Sequence, residues 1–279
     1  MKTVSVLIPA YNAARFIGRT IESALAQTYP QVEVIVVDDC STDETAAVVA
    51  RYPVKLIKHW RNQGQSAAFN TAIAHASGEF VALLDADDLW SPIKLQRCVE
   101  ELERNPGALL VYTNGAAIDD QDQPKWDLLP PGHQAPSPAD LLINNVIDCP
   151  AQVVVRRREL EYFTIGMQSN DHDMWLRLRE RGPFLYLDEP LSFYRKHGSQ
   201  ISLRRRQWED GFTILSAARK RFPYKNSVAR RRLAVIHFRL GQWDMRNGKR
   251  VRGLWHWTVA GMLDPARALR VAVGRERAS

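Results

Sequence analysis

Phe80-Val81-Ala82-Leu83-Leu84-Asp85-Ala86-Asp87-Asp88 is an apolar run that ends in three carboxylates, and just beyond it Ser91-Pro92 opens a helix-like segment. Five consecutive apolar residues bounded in this way read as a buried strand. The acids are then delivered at the strand's end. In extended chain, residues two apart project to the same side, so Asp85 and Asp87 share one side while Ala86 faces the other. Two carboxylates held together repel each other unless a cation or hydrogen-bond donors neutralise them, and hard oxygen ligands of this kind suit Mg²⁺ or Mn²⁺ carrying phosphate oxygens. Acids at a helix start, where Asp caps and complements the dipole, make the plainer reading of the same residues.

Outward from this stretch, apolar runs alternate with helical patterns. Strands are expected over 4–8, 32–37, 54–57, 79–84 and 108–113, and helices over 45–51, 65–76 and 92–103. A first helix, capped by Asn12, would bury Phe16, Ile17, Ile21, Ala24 and Leu25, and Ser41 and Glu44 stand at capping-box spacing ahead of the second. The alternation predicts an α/β fold, a mostly parallel sheet flanked by helices. Ligands of such sheets bind outside the carboxyl ends of the strands, where residues 9–12, 38–39 and 85–88 fall. A nucleotide site follows, yet no Gly-x-Gly-x-x-Gly follows the first strand and no Gly-x4-Gly-Lys-Ser/Thr occurs. His-Glu-x-x-His and Gly-x-Ser-x-Gly are missing too, so dehydrogenase, P-loop, zinc peptidase and serine hydrolase readings all lack a motif.

The 279 residues, 45% hydrophobic and 25% charged, suffice for one large domain or two small ones. No apolar run approaches the roughly 18 residues of a membrane helix, and Met1-Lys2 leads directly into a strand instead of a signal peptide, so a cytoplasmic protein is expected. Cys40, Cys98 and Cys149 have neither disulfide nor zinc spacing. The net charge of +7 is unevenly divided: residues 195–279 carry 21 Lys+Arg against 5 Asp+Glu, the other 194 residues 17 against 26. A basic tail on an acidic body points to an anionic partner or to a solvated helical surface. In the tail, Arg204 to Arg206, Arg230 to Arg232, Arg250 and Arg252 are interleaved with Trp208, Trp243, Trp255 and Trp257. That mixture suits the edge of an anionic bilayer, at the inner face of the membrane, better than nucleic acid, for which no module signature is present. A helical subdomain packing its tryptophans inward is the plainer alternative. The polar, proline-rich loop 119–138 is long enough to be either functional, folding over a bound ligand, or disordered.

Three ordered segments, Val4-Ser5-Val6-Leu7-Ile8-Pro9-Ala10-Tyr11-Asn12, Val36-Val37-Asp38-Asp39-Cys40-Ser41-Thr42-Asp43 and Leu84-Asp85-Ala86-Asp87-Asp88, resemble those of family 2 glycosyltransferases of the GT-A fold. The resemblance covers about residues 1–200. Asn62 to Asn70 is similar to the family's Asn-x-Gly-x-Ser-x-Ala-Arg-Asn segment, with Phe69 where Arg is usual, and Ser169 to Leu178 to its Glu-Asp-x-Asp-x-Trp segment, with Asn170 in place of Glu. Residues 190–202 resemble the segment that closes the catalytic domain.

The resemblance implies roles residue by residue. Pro9, Ala10 and Tyr11 would line the nucleotide pocket, with Tyr11 against the base. Asp39 would accept from a base N–H. Asp85 would hold the ribose or support a metal, Asp87 would ligate Mg²⁺ or Mn²⁺ at the diphosphate, and Asp88 would cap the next helix. Asp171 would be the general base, with His172 a competitor, and Arg195, Lys196 and above all His197 would screen the leaving diphosphate. The expected organisation is a nucleotide-sugar-binding half over 1–114, an acceptor-binding half over 115–202 and a basic, Trp-containing helical extension over 203–279.

The expected activity is inverting, metal-dependent transfer of one sugar from a nucleoside-diphosphate sugar to a hydroxyl of a saccharide or lipid-linked saccharide, in surface glycan or polysaccharide assembly. No Gln-x-x-Arg-Trp and no membrane helices accompany the motifs, which favours single addition over processive synthesis. A sugar-phosphate nucleotidyltransferase lacks its Gly-rich, basic first loop here. A catalytically silent carbohydrate-binding or scaffold protein of the same fold is the alternative from another class.

Overall fold

The computed structural model describes residues 2–198 and 204–272. It contains two compact units, one of Met1–Ala135, Val146–Gly166 and Asn170–Gln200, the other of Pro136–Asn145, Met167–Ser169 and Ile201–Ser279. The expected boundary at 202/203 lies outside the described residues, as do Ser199, Gln200, Ile201 and Ser202 of the closing segment.

The first unit is built on a nine-stranded sheet. β1 (Val4–Ala10) is buried along its whole length and pairs in parallel with β2 (Val32–Asp38) on one side and β4 (Phe80–Leu83) on the other. β3 (Lys55–Lys58) adds in parallel to β2. Chain direction thus reverses its sideways progress at β1, and the crevice beyond the carboxyl ends of β1 and β4 is a topological switch point. The parallel order expected from the sequence holds for these four strands.

Beyond β4 the sheet is mixed. The sequence places the strand of residues 108–113 next after β4 in chain order; in the structure β8 (Val153–Arg156) lies between them, antiparallel to β4 and to β6 (Leu110–Ile118). β9 (Phe184–Arg195) then runs parallel to β6 and ends on β5 (Leu89–Trp90), which immediately follows the carboxylates. β7 (Pro124–Asp127), an exposed strand inside loop 119–138, pairs with the end of β6.

Helices α1 (Ile17–Leu25), α2 (Thr45–Val49), α3 (Gln65–His75), α4 (Lys94–Arg104) and α6 (Asn170–Arg179) belong to this unit. Two expected caps are absent. α1 starts beyond Asn12; with φ at 49°, the Asn12 side chain instead accepts from the Thr42 backbone N–H at 2.8 Å and the Thr42 hydroxyl at 3.2 Å. Ser41 and Glu44 form no capping box either: Ser41 Oγ accepts from Asn12 N–H, and Asp43 takes the Thr45 N–H. Both substitutions tie the loop after β1 to the loop after β2, which fixes one wall of the crevice. Leu25, expected in the core, is 41% exposed.

The second unit consists of α5 (Pro138–Ile143), α7 (Arg206–Arg221), α8 (Asn226–Arg246), α9 (Arg250–Leu263) and α10 (Pro265–Ala272). α5 starts with a true capping box between Ser137 and Asp140. Buried Asp210 of α7 accepts the backbone N–H groups of Gln168 and Ser169, and buried Arg232 of α8 donates to the Ile143 carbonyl. Among the described residues no helix is long and apolar enough to cross a membrane.

Candidate active site

The carboxylates leave β4 as its sequence predicts. Asp85 and Asp87 are partly exposed while Ala86 and Asp88 are buried, so alternation survives although a turn, Asp88 N–H to Asp85 carbonyl at 3.2 Å, has begun. Asp85 accepts from Gln65 Nε2 at 2.8 Å. Its carboxyl is pushed well above the usual range, first by burial in the crevice and then by the charges of Asp87 and Asp171. That influence brings Asp171, more than eighty residues away in sequence, to the same site.

Asp88 does not cap α4, whose N-cap is Ile93. Instead its carboxylate accepts the backbone N–H of Arg195 at 2.9 Å. Burial and the neighbouring Asp87 and Asp85 raise its pKa well above normal. Arg195, expected at the diphosphate, is fully buried: it donates to the Asp87 and Asp119 carbonyls, each at 2.7 Å, and pairs with Asp122 at 2.5 Å. It therefore holds the acidic turn and loop 119–138 together. The next cation, Lys196, has a lowered pKa because of burial. His197 does reach the site, with Nε2 2.8 Å from Asp87 Oδ2 and its ring 5.1 Å from that of Phe16.

At the other wall, Pro9 and Ala10 end β1 as buried residues, and the Ala10 carbonyl accepts the Asp39 N–H at 2.8 Å. Tyr11 is 50% exposed, so its ring is open to a ligand and is not a packed loop aromatic. Asp39 is buried and already well supplied with donors. Gly64 N–H reaches it at 2.7 Å, Gln63 N–H is shared between both oxygens, and His59 Nδ1 lies at 2.7 Å. A carboxylate has about four lone-pair sites, which leaves room for one base N–H. Gly64 holds this geometry at φ 89°, a conformation that side-chain-bearing residues resist. His59 was missed in the sequence, although parallel register could have found it: Asp38 pairs with Lys58, so their successors are neighbours.

The second half contributes α6. Asn170, standing where the resemblance has Glu, is buried and donates to Ser66 Oγ at 2.9 Å, fastening α6 to α3. Its side-chain oxygen, Oδ1, accepts the Asp171 N–H at 2.7 Å. Asp171 is partly exposed, whereas His172 is 3% exposed and so is badly placed to compete as a base. Asp173 is buried against Thr164 and Arg177. Phe69, standing where Arg is usual, is fully buried and stacks on Phe163 at 4.8 Å.

Asp87 and His197 present a hard oxygen and an imidazole nitrogen to the same space. The carboxylate is the kind of hard donor that Mg²⁺ or Mn²⁺ takes, and the imidazole beside it is a nitrogen donor that a transition ion such as Mn²⁺ accepts more readily than Mg²⁺. Among the described residues no three acidic, His or Cys side chains converge to make a closed protein-only metal cage.

The sequence model of the family described as "Glycosyl transferase family 2" matches residues 5–163, more than half of the chain. The chain belongs to glycosyl transferase family 2. The family match includes Asp39, Asp85 and Asp87 and stops short of Asp171 and His197. Among family relatives, the "Putative teichuronic acid biosynthesis glycosyltransferase TuaG" of Bacillus subtilis is 31% identical over 71% of this chain and 81% of its own. The chain spans only about a third of the length of several other curated relatives it matches. Two solved structures share its GT-A fold. S. aureus TarS 1–349 in complex with UDP-GlcNAc superimposes with a TM-score of 0.70 at 16% identity, covering 98% of this chain and 92% of that one. The mannosyltransferase PcManGT from Pyrobaculum calidifontis, in complex with GDP-Man and Mn²⁺, gives 0.62 at 21% identity, covering 99% and 76%.

Proposed function

We propose that this chain transfers a single sugar, with inversion, from a nucleoside-diphosphate sugar to a hydroxyl of a saccharide or lipid-linked acceptor in surface glycan or polysaccharide assembly. The observation that carries the reading is the placement of Asp85 and Asp87 just beyond the carboxyl end of β4, Asp85 held by Gln65 Nε2 at 2.8 Å and Asp87 2.8 Å from His197 Nε2, with the charge of Asp171 among those that raise the pKa of Asp85. Acids from a strand end and a helix start, both partly exposed, give one pair for the donor and one carboxylate for the acceptor. The name of TuaG supports a place in polysaccharide assembly, and the complexes of TarS and PcManGT support a nucleotide-sugar donor.

In this reading Tyr11 covers the face of the base and Asp39 accepts its ring N–H, while Pro9 and Ala10 shape the pocket wall. Asp85 orients the ribose. Asp87, with His197 beside it, would hold a divalent cation, which when bound would neutralise diphosphate charge. Asp171 takes the acceptor hydroxyl's proton as that oxygen forms its bond to the anomeric carbon and the bond to the diphosphate breaks on the opposite face.

The test is thermal stability against a panel of nucleoside diphosphates with and without Mn²⁺, for wild type and Asp87→Ala, since specific binding raises the melting temperature. A Mn²⁺-dependent rise with one base, lost in the variant, supports the reading and names the donor base. No rise with any nucleotide overturns it. Transfer that is lost in Asp171→Asn while nucleotide binding persists separates an enzyme from a silent protein of the same fold.

A further inference from the structure

α9 is built the wrong way round for a helix that serves only to fill the second unit. Its buried face is small: Gly253, His256 and Ala260. Gly253 lies so close to α8 that an added methyl would come within 2.7 Å of the Met245 side chain, and one on Gly241 would meet the Trp257 ring at 2.4 Å. The two glycines let the helix backbones approach, and the room they leave is taken by the Trp257 ring against Gly241 and the Met245 side chain against Gly253. Apart from Trp257, which packs on Gly241, large apolar residues of this region lie outside: Val251 is 86% exposed, Leu254 55%, Trp255 56% and Met262 69%, and Leu269 of α10 is 66% exposed.

At about 100° per residue, Val251, Leu254, Trp255 and Met262 form one stripe about 100° wide, with exposed Thr258 inside it and Arg250 and Arg252 on its two flanks. Arg252 is braced by buried Asp244 at 2.5 and 2.8 Å. The Trp255 indole rests edge-on against the rings of His237 and His256, so the stripe is held outward by packing. Residues 204–269 carry 16 Lys+Arg and 4 Asp+Glu. Soluble surfaces tolerate scattered apolar residues, but large ones gathered on one face and flanked by arginines mark an interaction face.

We propose that this face docks on an anionic membrane surface. α9 lies in the plane of the interface, with Val251, Leu254 and Met262 among the acyl chains, Trp255 at the headgroup level, and Arg250 on lipid phosphates, while Arg252 stays paired with Asp244. Charge complementarity selects this occupant. A second copy would bring two strongly basic units together, and a nucleic-acid backbone would attract the arginines but offers no apolar phase for the stripe.

The experiment is co-sedimentation of the full chain with vesicles of phosphatidylcholine alone or mixed with phosphatidylglycerol, across a salt series, with light scattering on the protein alone. Wild type is expected to bind the anionic vesicles and not the neutral ones. Val251→Glu/Met262→Glu should lower the partition coefficient at least about tenfold, and Arg250→Glu should weaken binding mainly at low salt. Both positions of the double variant are exposed, so its melting temperature and nucleotide response should match wild type. Absence of wild-type binding, binding unchanged in the double variant, or a wild-type dimer that the double variant converts to monomer would each overturn the proposal. None of these outcomes depends on the transferase reading.

Discussion

His197 Nε2 lies 2.8 Å from Asp87 Oδ2, across 110 residues of sequence. The contact joins the end of β9 to the acidic turn after β4, and buried Arg195 secures the same junction two residues earlier by binding the Asp87 carbonyl. One buried cation therefore positions the backbone, and the next ring along the chain meets the carboxylate.

His197→Ala should weaken the Mn²⁺ dependence of nucleoside-diphosphate binding, with the apparent metal affinity falling at least about tenfold, the least that loss of even an outer-shell partner brings. Titrating Mn²⁺ at fixed nucleotide measures this. Unchanged metal dependence would remove His197 from the proposed cation site and leave it a partner of Asp87 alone.

Asp171→Asn should lower the rate of transfer by about 10² to 10⁴, the range of general-base contributions. Nucleotide affinity should stay close to wild type. Comparison of kcat with nucleotide Kd is the check; a parallel loss of both would indicate that Asp171 shapes the donor pocket instead.

His59→Ala removes one of three donors from buried Asp39 and also the 2.9 Å contact to Thr71 on α3. A loss of about 1–3 kcal/mol is expected, because a buried carboxylate is left short of a partner. Denaturant melts should show it, and nucleotide binding should weaken as the 59–64 loop loosens.

Solvent reaches Asp148, yet the protein around it strips enough hydration to raise its pKa to about 6, opposed only by Lys196. A carboxyl whose folded pKa is raised binds its proton more tightly when folded, so its contribution to stability is greatest below about pH 4, falls as pH rises towards 6 and is level above. Asp148→Asn should therefore raise the melting temperature at pH 7–8, and the advantage should vanish below about pH 4. Melting curves of the two proteins across this range decide it.

Gly241→Ala places a methyl 2.4 Å from the Trp257 ring and 3.1 Å from the Gly253 carbonyl. Overpacking of this kind costs about 1–3 kcal/mol. Calorimetry should show a lower melting temperature, while Gly107→Ala, where an added methyl meets nothing within 4 Å, serves as the tolerant control.

Much of the site was legible because periodicity and strand ends are local properties. The apolar runs of β1, β2 and β4 end at Tyr11, Asp39 and Asp85, and parallel pairing aligns those ends whatever follows. The insertion of β8 between β4 and β6 was not legible, since an apolar strand carries no mark of which neighbour it will pair with. The roles of Asp88 and Arg195 were misread for a related reason: a carboxylate beside a helix start and a cation beside a candidate active site look functional until burial shows that Asp88 serves the Arg195 backbone N–H and the guanidinium serves the Asp87 and Asp119 carbonyls and Asp122.

The sequence by itself determined the strand-end carboxylates, the family and the division between an acidic body and a basic tail, because these depend on residue type and short spacing. Tertiary structure alone decided that His59 supports Asp39, that His197 and not Arg195 meets the Asp87 carboxylate, and that the apolar side of α9 faces outward. Each of these follows from long-range packing, in which burial and close backbone approach fix where a side chain points, and local pattern does not contain that information.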